Sequence, residues 1–429
     1  MRIAFLVSEF PVLSETFVLN QMASLIELGH EVEILSENAS SSGRNHDVVR
    51  RYHLMDKVTY SAAMPGKGVA GRLWSATRAV ASCPPGSRRK LAGILSWLMR
   101  GGRPKLRVLR FATALLPGRR YDAVICHFGP NGATAVSLRQ AGILKGPILT
   151  YFHGWDMSSH IRANGPEVYR GLFAAGDLFL PISDRWRKKL LDLGCEPART
   201  RVHHMGIPVS RFQYVSRQSG GQKPVRLISV ARLIEKKGIE IAIRALAYLV
   251  QRHRITYTIV GDGPMRAHLA ALVHELGLAN SIVFAGALPQ QEVVRLLGES
   301  DILIAPSITA GNGDEEGIPV ALMEAMATGL PVVSSRHSGI PELVEDGIGG
   351  LLAEEGNVES LAGKIALLLE SPARGQEMGA AARKKVEREF NLEALSAELI
   401  DMIKGLALEH SGAASSQIQS YAGSGGHNV

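Results

Sequence analysis

The sequence predicts two doubly wound α/β domains facing each other across a cleft. Short apolar runs alternate with helical segments from the first residues to about Ile182, and again from Val225 to Ala353. Between the two series, Ile207 to Pro224 holds Pro208, Ser216, Ser219, Gly220, Gly221 and Pro224 with little apolar periodicity, and reads as a linker. A chain of 429 residues is also longer than one ordinary core supports.

The first series opens with Arg2 to Val7, an apolar run stopped by Ser8-Glu9-Phe10-Pro11 and read as a buried parallel strand. It is too short for the apolar stretch of a signal peptide. Ser14-Glu15-Thr16-Phe17 opens a helix that Gly29 stops, and Val32 to Leu35 is the next strand, giving a βαβ start. Tyr121 to His127, Pro147 to Phe152 and Asp177 to Ile182 continue the pattern, with helices from Ala133 and near Val168. The second series has strands at Val225 to Val230, Tyr257 to Val260, Ser281 to Phe284, Asp301 to Ala305, Pro331 to Ser334 and Gly350 to Ala353. Helices lie between them, for example Gly238 to Leu249 and Met265 to Leu276. The expected layout is an N-terminal domain over 1–206, a linker over 207–224, a second domain over 225–390, closing helices over 391–408 and a disordered Ser/Gly-rich tail over 409–429.

Composition narrows the class. With 46% hydrophobic and 21% charged residues the chain is globular, and no apolar run approaches the ~20 residues of a membrane span. Cys83, Cys126 and Cys195 are odd in number and widely spaced, so neither a disulfide framework nor a metal cluster is expected, which suits a reducing cytoplasm. The net charge of +8 is concentrated, because no acidic residue occurs between Asp56 and Asp122. Apolar groups such as Trp97, Leu98 and Leu109 sit among the basic residues of Lys57 to Arg120, so this segment reads as a surface docking on anionic lipid. An ordinary solvated helix face is the other reading. Nucleic acid is not expected, since no nucleic-acid module accompanies the charge.

The stretch Gly311 to Pro331 is the centre of the chemistry. A loop carrying Asp314, Glu315 and Glu316 runs through Gly317-Ile318-Pro319 into a helix, Val320 to Thr328, that carries Glu324. Free N–H groups at such a helix start hold a phosphate. Glu316 and Glu324 lie on the order of 12 Å apart at ~1.5 Å per residue, which leaves room for a hydroxyl-bearing ring on each side of it. Sugar–diphosphate–ribose fits this pattern; a helix cap and a paired core acid are the plain alternatives. Three further loops follow strand ends, where open α/β folds bind ligands. Ala231 to Gly238 offers Arg232 and Lys237 for a diphosphate. Gly261-Asp262-Gly263-Pro264 allows close backbone approach, or is simply a turn. His153-Gly154-Trp155-Asp156 presents a histidine at a strand end, and His127-Phe128-Gly129-Pro130 competes for the same role.

Taken together, these segments resemble the GT-B glycosyltransferases of family 4, over nearly the whole chain to about Leu406. The resemblance rests on Glu316-x7-Glu324, on the Ala-Arg-Leu-x-Glu-Lys-Lys-Gly loop and on two doubly wound domains. It is closer still to enzymes of colanic acid and amylovoran biosynthesis, through Phe10 to Phe17, His127 to Pro130, Phe152 to Asp156, Leu180 to Asp184, Gly317 to Ala327 and His337 to Glu345. The resemblance implies a retaining, metal-independent transfer of a hexose from a nucleotide sugar, with uracil the expected base, to a lipid-linked saccharide at the inner face of the membrane. No cofactor is implied. Glu316 and His153 would sit at the reacting centre. Arg232, Lys237, Glu324, Gly317, Ile318, Pro319, Gly261 and Gly263 would bind the donor. Ser14, Glu15, Thr16, His127 and Asp156 would serve the acceptor or phosphate loop. Many members carry a Gly-Gly pair in the first loop; here Leu13-Ser14-Glu15-Thr16 stands instead, which puts that contact in doubt or gives it to N–H groups at the helix start.

Rival readings are a nucleotide-sugar epimerase of the same fold and a non-catalytic partner subunit. The second would lose Glu316 and Glu324, and both are present. A nicotinamide dehydrogenase would need glycines after the first strand, and Ser8 to Thr16 has none.

Overall fold

The computed structural model of the chain describes residues 1–12, 15–42, 46–61, 105–116, 118–217 and 223–422. Two six-stranded sheets dominate it, and every strand pair in both is parallel. The first contains β1 (Arg2–Phe10), β2 (Glu31–Ala39), β3 (Val58–Tyr60), β4 (Ala123–His127), β5 (Ile148–Phe152) and β6 (Leu178–Pro181), in the order β3-β2-β1-β4-β5-β6. The second contains β7 (Val225–Val230), β8 (Ile255–Val260), β9 (Ile282–Gly286), β10 (Ile302–Ala305), β11 (Val332–Ser335) and β12 (Leu351–Ala353), in the order β9-β8-β7-β10-β11-β12. Both are doubly wound sheets whose order reverses beside the first strand, between β1 and β4 and between β7 and β10. The loops leaving strands on either side of such a point cannot cover each other, so a crevice opens there.

Parallel strands covered on both faces read as unbroken apolar runs. Every residue of β4 and β5 is buried. The first core gathers β1, β4 and β5 with Val18, Leu19 and Met22 of the Thr16–Glu27 helix. The second domain has an apolar cluster on each face of its sheet. The segment that composition reads as a linker is packed where it is described: Ile207, Val209 and Phe212 are buried against the second domain. The last helix, Leu392–Ala422, runs beyond the point at which composition starts the tail. Its Leu399, Ile400 and Ile403 are buried in the core of the first domain.

The basic segment is described only at its two ends. Its residues 62–104, Trp97 and Leu98 among them, lie outside the described residues. The apolar face of its last helix is turned into the protein. The helix Lys105–Leu115 packs on the first sheet with Val108, Phe111, Ala112 and Leu115 fully buried and Leu109 6% exposed. Its Arg107 and Arg110 are engaged inward. Glu37 of β2 takes Arg107 at 2.6 Å and Arg110 at 3.0 Å, and Glu33 takes Arg119. Leu109, one of the apolar residues that suggest a lipid contact, is a core residue, and Arg107, Arg110 and Arg119 are neutralised by a neighbouring strand.

A core position predicts a stability cost. Phe111→Ala lowers the unfolding free energy of the first domain by about 3–5 kcal/mol, read as an earlier denaturant transition. A helix lying on lipid would show no such loss and would instead lose binding to anionic vesicles.

Candidate functional site

Glu316 stands at the meeting of the two domains. It is 7% exposed and still carries its charge, because two lysines of one loop converge on it. Lys237 Nζ lies 2.5 Å from Oε2 and Lys236 Nζ 3.4 Å from Oε1, while Lys236 also reaches Asp314 at 3.0 Å. Burial alone would raise the Glu316 carboxyl; Lys237 and Lys236 outweigh it and hold it at about 2. The backbone there is fixed as well. Glu316 N–H donates to His337 Nε2 at 3.1 Å, and the Glu316 carbonyl accepts from Ser338 Oγ at 2.6 Å. Since Nε2 accepts, the His337 proton sits on Nδ1, 3.0 Å from Glu355.

The helix that follows, Val320–Ala327, starts behind Pro319 with no side-chain cap; Leu322 N–H donates to the Pro319 carbonyl at 3.1 Å, and the N–H groups of Val320 and Ala321 are left for an anion. Two turns on, Glu324 is 7% exposed and takes one hydrogen bond, from Gln290 Nε2 to Oε1 at 2.8 Å. Burial pushes its carboxyl up to about 7, against the pull of that bond. The acidic loop and the helix therefore hold two buried carboxylates of opposite character, one clamped ionised and one that gains its proton near neutrality.

The first domain meets this loop through the turn after β5. A Cβ on Gly154 would lie 2.6 Å from the Glu315 carbonyl and 2.8 Å from Gly317 N, so only glycine lets the turn come this close. A Cβ on Gly317 would in turn lie 3.1 Å from the His153 carbonyl and 2.5 Å from Ile182. Ser158 Oγ accepts from Glu315 N at 3.1 Å and Arg185 pairs with the Glu315 carboxylate at 2.5 Å. Glu342 reaches back and accepts the Asp184 and Arg185 N–H groups at 2.8 and 3.1 Å, capping a helix of the other domain.

The two competing histidines stand one behind the other. His153 is 7% exposed and His127 fully buried, with His127 Nδ1 and His153 Nε2 3.1 Å apart. Burial lowers His153 to about 3 and His127 well below its usual range, so both rings are neutral. Phe17 and Phe128 lie 4.9 and 4.6 Å from the His153 ring. Phe128 reaches its place with φ of 73°, a conformation that costs a non-glycine residue strain. Trp155 on the same turn is 45% exposed.

Other residues singled out by the sequence take different places. Asp156 is fully buried and accepts from Gly129 N and His153 N, both at 2.9 Å. It ties the two histidine loops together and offers no surface to an acceptor. Arg232 is exposed and makes no ion pair among the described residues. Glu15 titrates near 7, raised first by burial, then by Glu9, and opposed by Arg232. Thr16 begins the first helix, and Ser14 lies outside the described residues. Gly261 and Gly263 have a packing reason of their own: a Cβ on them would lie 1.9 Å from the Ala231 carbonyl and 2.5 Å from the Leu233 carbonyl. They let two strand-end loops lie against each other.

Three participants were not singled out from the sequence. Lys236 had only its neighbour Lys237 as a signal. His337 lay inside a quoted motif without a role. Gln290 had none, because its pairing with Glu324 spans 34 residues.

The chain matches the model of the glycosyl transferase 4-like domain over residues 14–206 and that of the glycosyl transferases group 1 over 214–385. It is 38% identical over 409 residues to a putative colanic acid biosynthesis glycosyltransferase, WcaL of Salmonella typhimurium, covering 94% of this chain and 100% of that one. The chain belongs to the group 1 glycosyltransferases. The amylovoran biosynthesis glycosyltransferase AmsK of Erwinia amylovora is 39% identical, covering 95% of this chain and 100% of its own. Among solved structures, the fold is that of Anabaena Alr3699/HepE in complex with UDP and glucose, with TM-score 0.69 at 18% identity over 94% of this chain and 100% of that one. Sucrose-phosphate synthase from Thermosynechococcus elongatus also gives TM-score 0.69 at 18% identity, covering 95% and 99%. The group 1 transferase thus has the GT-B architecture.

The raised Glu324 carboxyl has a pH signature. The folded state keeps its proton up to about 7, whereas the unfolded chain releases it near 4.5. Between those values the folded state binds more protons, so this group's contribution to stability falls as pH rises. At about 1.4 kcal/mol for each pH unit the swing is on the order of 3 kcal/mol. Glu324→Gln removes it, seen as a difference between wild-type and variant unfolding curves measured from pH 4.5 to 8.

Proposed function

We propose that this transferase moves a hexose from a nucleotide sugar, with a uridine diphosphate carrier, to a lipid-linked saccharide during exopolysaccharide assembly, with retention of configuration and without a metal. The observation that carries the reading is the clamped Glu316 carboxylate beside an uncapped helix start, facing the His153 turn across the cleft. The names of the WcaL and AmsK relatives support the exopolysaccharide setting. The complexes of the Anabaena protein with UDP, glucose and UDP-glucose support the donor.

On this reading the diphosphate lies on the free N–H groups near Ile318, with Arg232 and Lys237 as its cations. Glu316 accepts hydrogen bonds from hexose hydroxyls and Glu324 from the ribose hydroxyls. The bond between the anomeric carbon and the diphosphate oxygen breaks as the acceptor oxygen bonds to the same face of that carbon. The acceptor's proton passes to the departing diphosphate oxygen. Fixed positive charge at that oxygen lowers the barrier, since it needs no reorganisation as charge develops. The His153 turn closes the opposite wall, and Trp155 offers an aromatic face on the acceptor side. Among the described residues there is no cluster of three or more His, Cys, Asp or Glu suited to a metal. Also among them, no helix is long and apolar enough to cross a membrane. On this reading the acceptor is met at the membrane surface, on the cytoplasmic side.

The test is a donor screen with UDP-glucose, UDP-galactose, UDP-glucuronate, UDP-GlcNAc, GDP-mannose and GDP-fucose, followed by thermal shift and slow nucleoside-diphosphate release. One UDP-sugar stabilises the wild type and is slowly hydrolysed, and Glu316→Ala loses about 10²–10³ in that rate, the cost of one such electrostatic group. Release by Glu316→Ala at the wild-type rate, or binding of none of the donors, overturns the assignment.

A further inference from the structure

Behind His153 runs an unbroken buried chain of hydrogen bonds. His153 Nε2 meets His127 Nδ1 at 3.1 Å, and His127 Nε2 meets Gln21 Oε1 at 2.9 Å. Gln21 Nε2 meets the Tyr151 hydroxyl at 3.0 Å, which meets His203 Nδ1 at 2.9 Å. His203 Nε2 ends the chain on the Leu395 carbonyl at 3.0 Å. That carbonyl belongs to the Leu392–Ala422 helix, which closes the chain back onto the first domain.

The end of the chain gives it a single direction. A carbonyl only accepts, so His203 carries its proton on Nε2 and its Nδ1 must accept. The Tyr151 hydroxyl then donates its one proton to His203 and can only accept from Gln21. Gln21 must turn its NH₂ to Tyr151 and its oxygen to His127. His127 therefore carries its proton on Nε2 and accepts on Nδ1, so His153 carries its proton on Nε2. This direction holds for neutral rings. Burial lowers His203 to about 4 and His153 to about 3, and keeps the Tyr151 phenol protonated. A flipped Gln21 would bring its oxygen against a hydroxyl with no proton left to give, which leaves a buried acceptor unpaired.

We infer that Gln21, Tyr151 and His203 are positioning residues that lock His153 as the Nε2–H tautomer, leaving Nδ1 as a bare acceptor for a hydroxyl of the bound sugar. The inference rests on the proposed transferase reading for its consequence in turnover, but the lock is a property of the ligand-free protein. It makes His153 an acceptor toward the sugar rather than an acid. It also joins the orientation of that ring to the docking of the last helix, 242 residues away in sequence (395 minus 153).

Nitrogen NMR of protein labelled with ¹⁵N-histidine, with His153→Gln to assign its signals, reads the tautomer directly. In the wild type, His153 is expected with Nε2 protonated and Nδ1 bare. Tyr151→Phe removes the link that orients Gln21, and Gln21→Met removes the amide itself. In both variants the Nδ1–H form of His153 is expected to appear. With the donor found in the screen, kcat falls about 10- to 100-fold, at or below the ~10²-fold lower bound for a group that itself transfers a proton. The donor KM stays within about twofold. A protonated Nδ1 in the wild type, or an unchanged tautomer in either variant, overturns the lock. A shifted tautomer with unchanged kcat overturns its role in turnover. A failed donor screen would overturn the proposed function alone, because the tautomer is read without donor.

Discussion

A carboxylate taken out of water must be held charged by partners or give up its charge, and the penalty for an unpaired buried ion is several kcal/mol. Glu316 is held, and much of the cleft follows from that. Its partners Lys236 and Lys237 come from the loop after β7, so the acidic loop after β10 is drawn onto the neighbouring strand end. Asp314 completes the group, making two carboxylates and two ammonium ions, with no net charge. Such a balanced cluster tolerates burial, and burial lets the first domain press its Gly154 turn against the loop. On the proposed reading, an incoming diphosphate upsets the balance. Arg232, free of ion pairs among the described residues, is the first cation it meets, and Lys237 must divide between phosphate and Glu316. The carboxylate is then released to sugar hydroxyls while staying ionised.

The neighbouring acid shows why the two cannot exchange roles. Glu324 has the same exposure as Glu316, yet its one described partner is the neutral amide of Gln290. A neutral donor satisfies one oxygen without opposing the cost of burial, so the carboxyl is pushed up instead of down. Lys236 and Lys237 thus separate the two glutamates by charge, where the sequence distinguishes them only by position. On the proposed reading the free oxygen of Glu324 meets neutral ribose hydroxyls, which place no demand for fixed countercharge.

What was legible in the sequence was whatever depends on local order. Apolar strands, the turn residues that end them and the proline that starts the Val320–Ala327 helix are read within a few residues, and they place the fold and the acidic loop correctly. Side-chain partnerships were not legible, because they join positions far apart. Glu37 and Glu33 neutralise arginines 70 to 86 positions later, and without that knowledge the helix Lys105–Leu115 reads as a lipid surface. Gly261 and Gly263 read as room for a ligand because the sequence does not show the loop that fills the space. Asp156 reads as a contact for the acceptor because the two N–H groups that occupy it are backbone atoms.

The two histidines follow the same logic one level deeper. Sequence reading set His127 and His153 against each other, since each ends a strand and precedes a turn. Register resolves their relation: β4 and β5 pair His127 with Tyr151, so His153, two residues on, projects past the strand ends while His127 lies inside. A buried neutral ring must pass its polarity to something, and His127 passes it through Gln21 and Tyr151 to His203. The series ends at a helix carbonyl contributed by the last part of the chain. A polar chain in a core is tolerated only when each donor finds an acceptor. This one is complete only when the Leu392–Ala422 helix is in place, so the segment that finishes the first domain's core also fixes which nitrogen of His153 is bare.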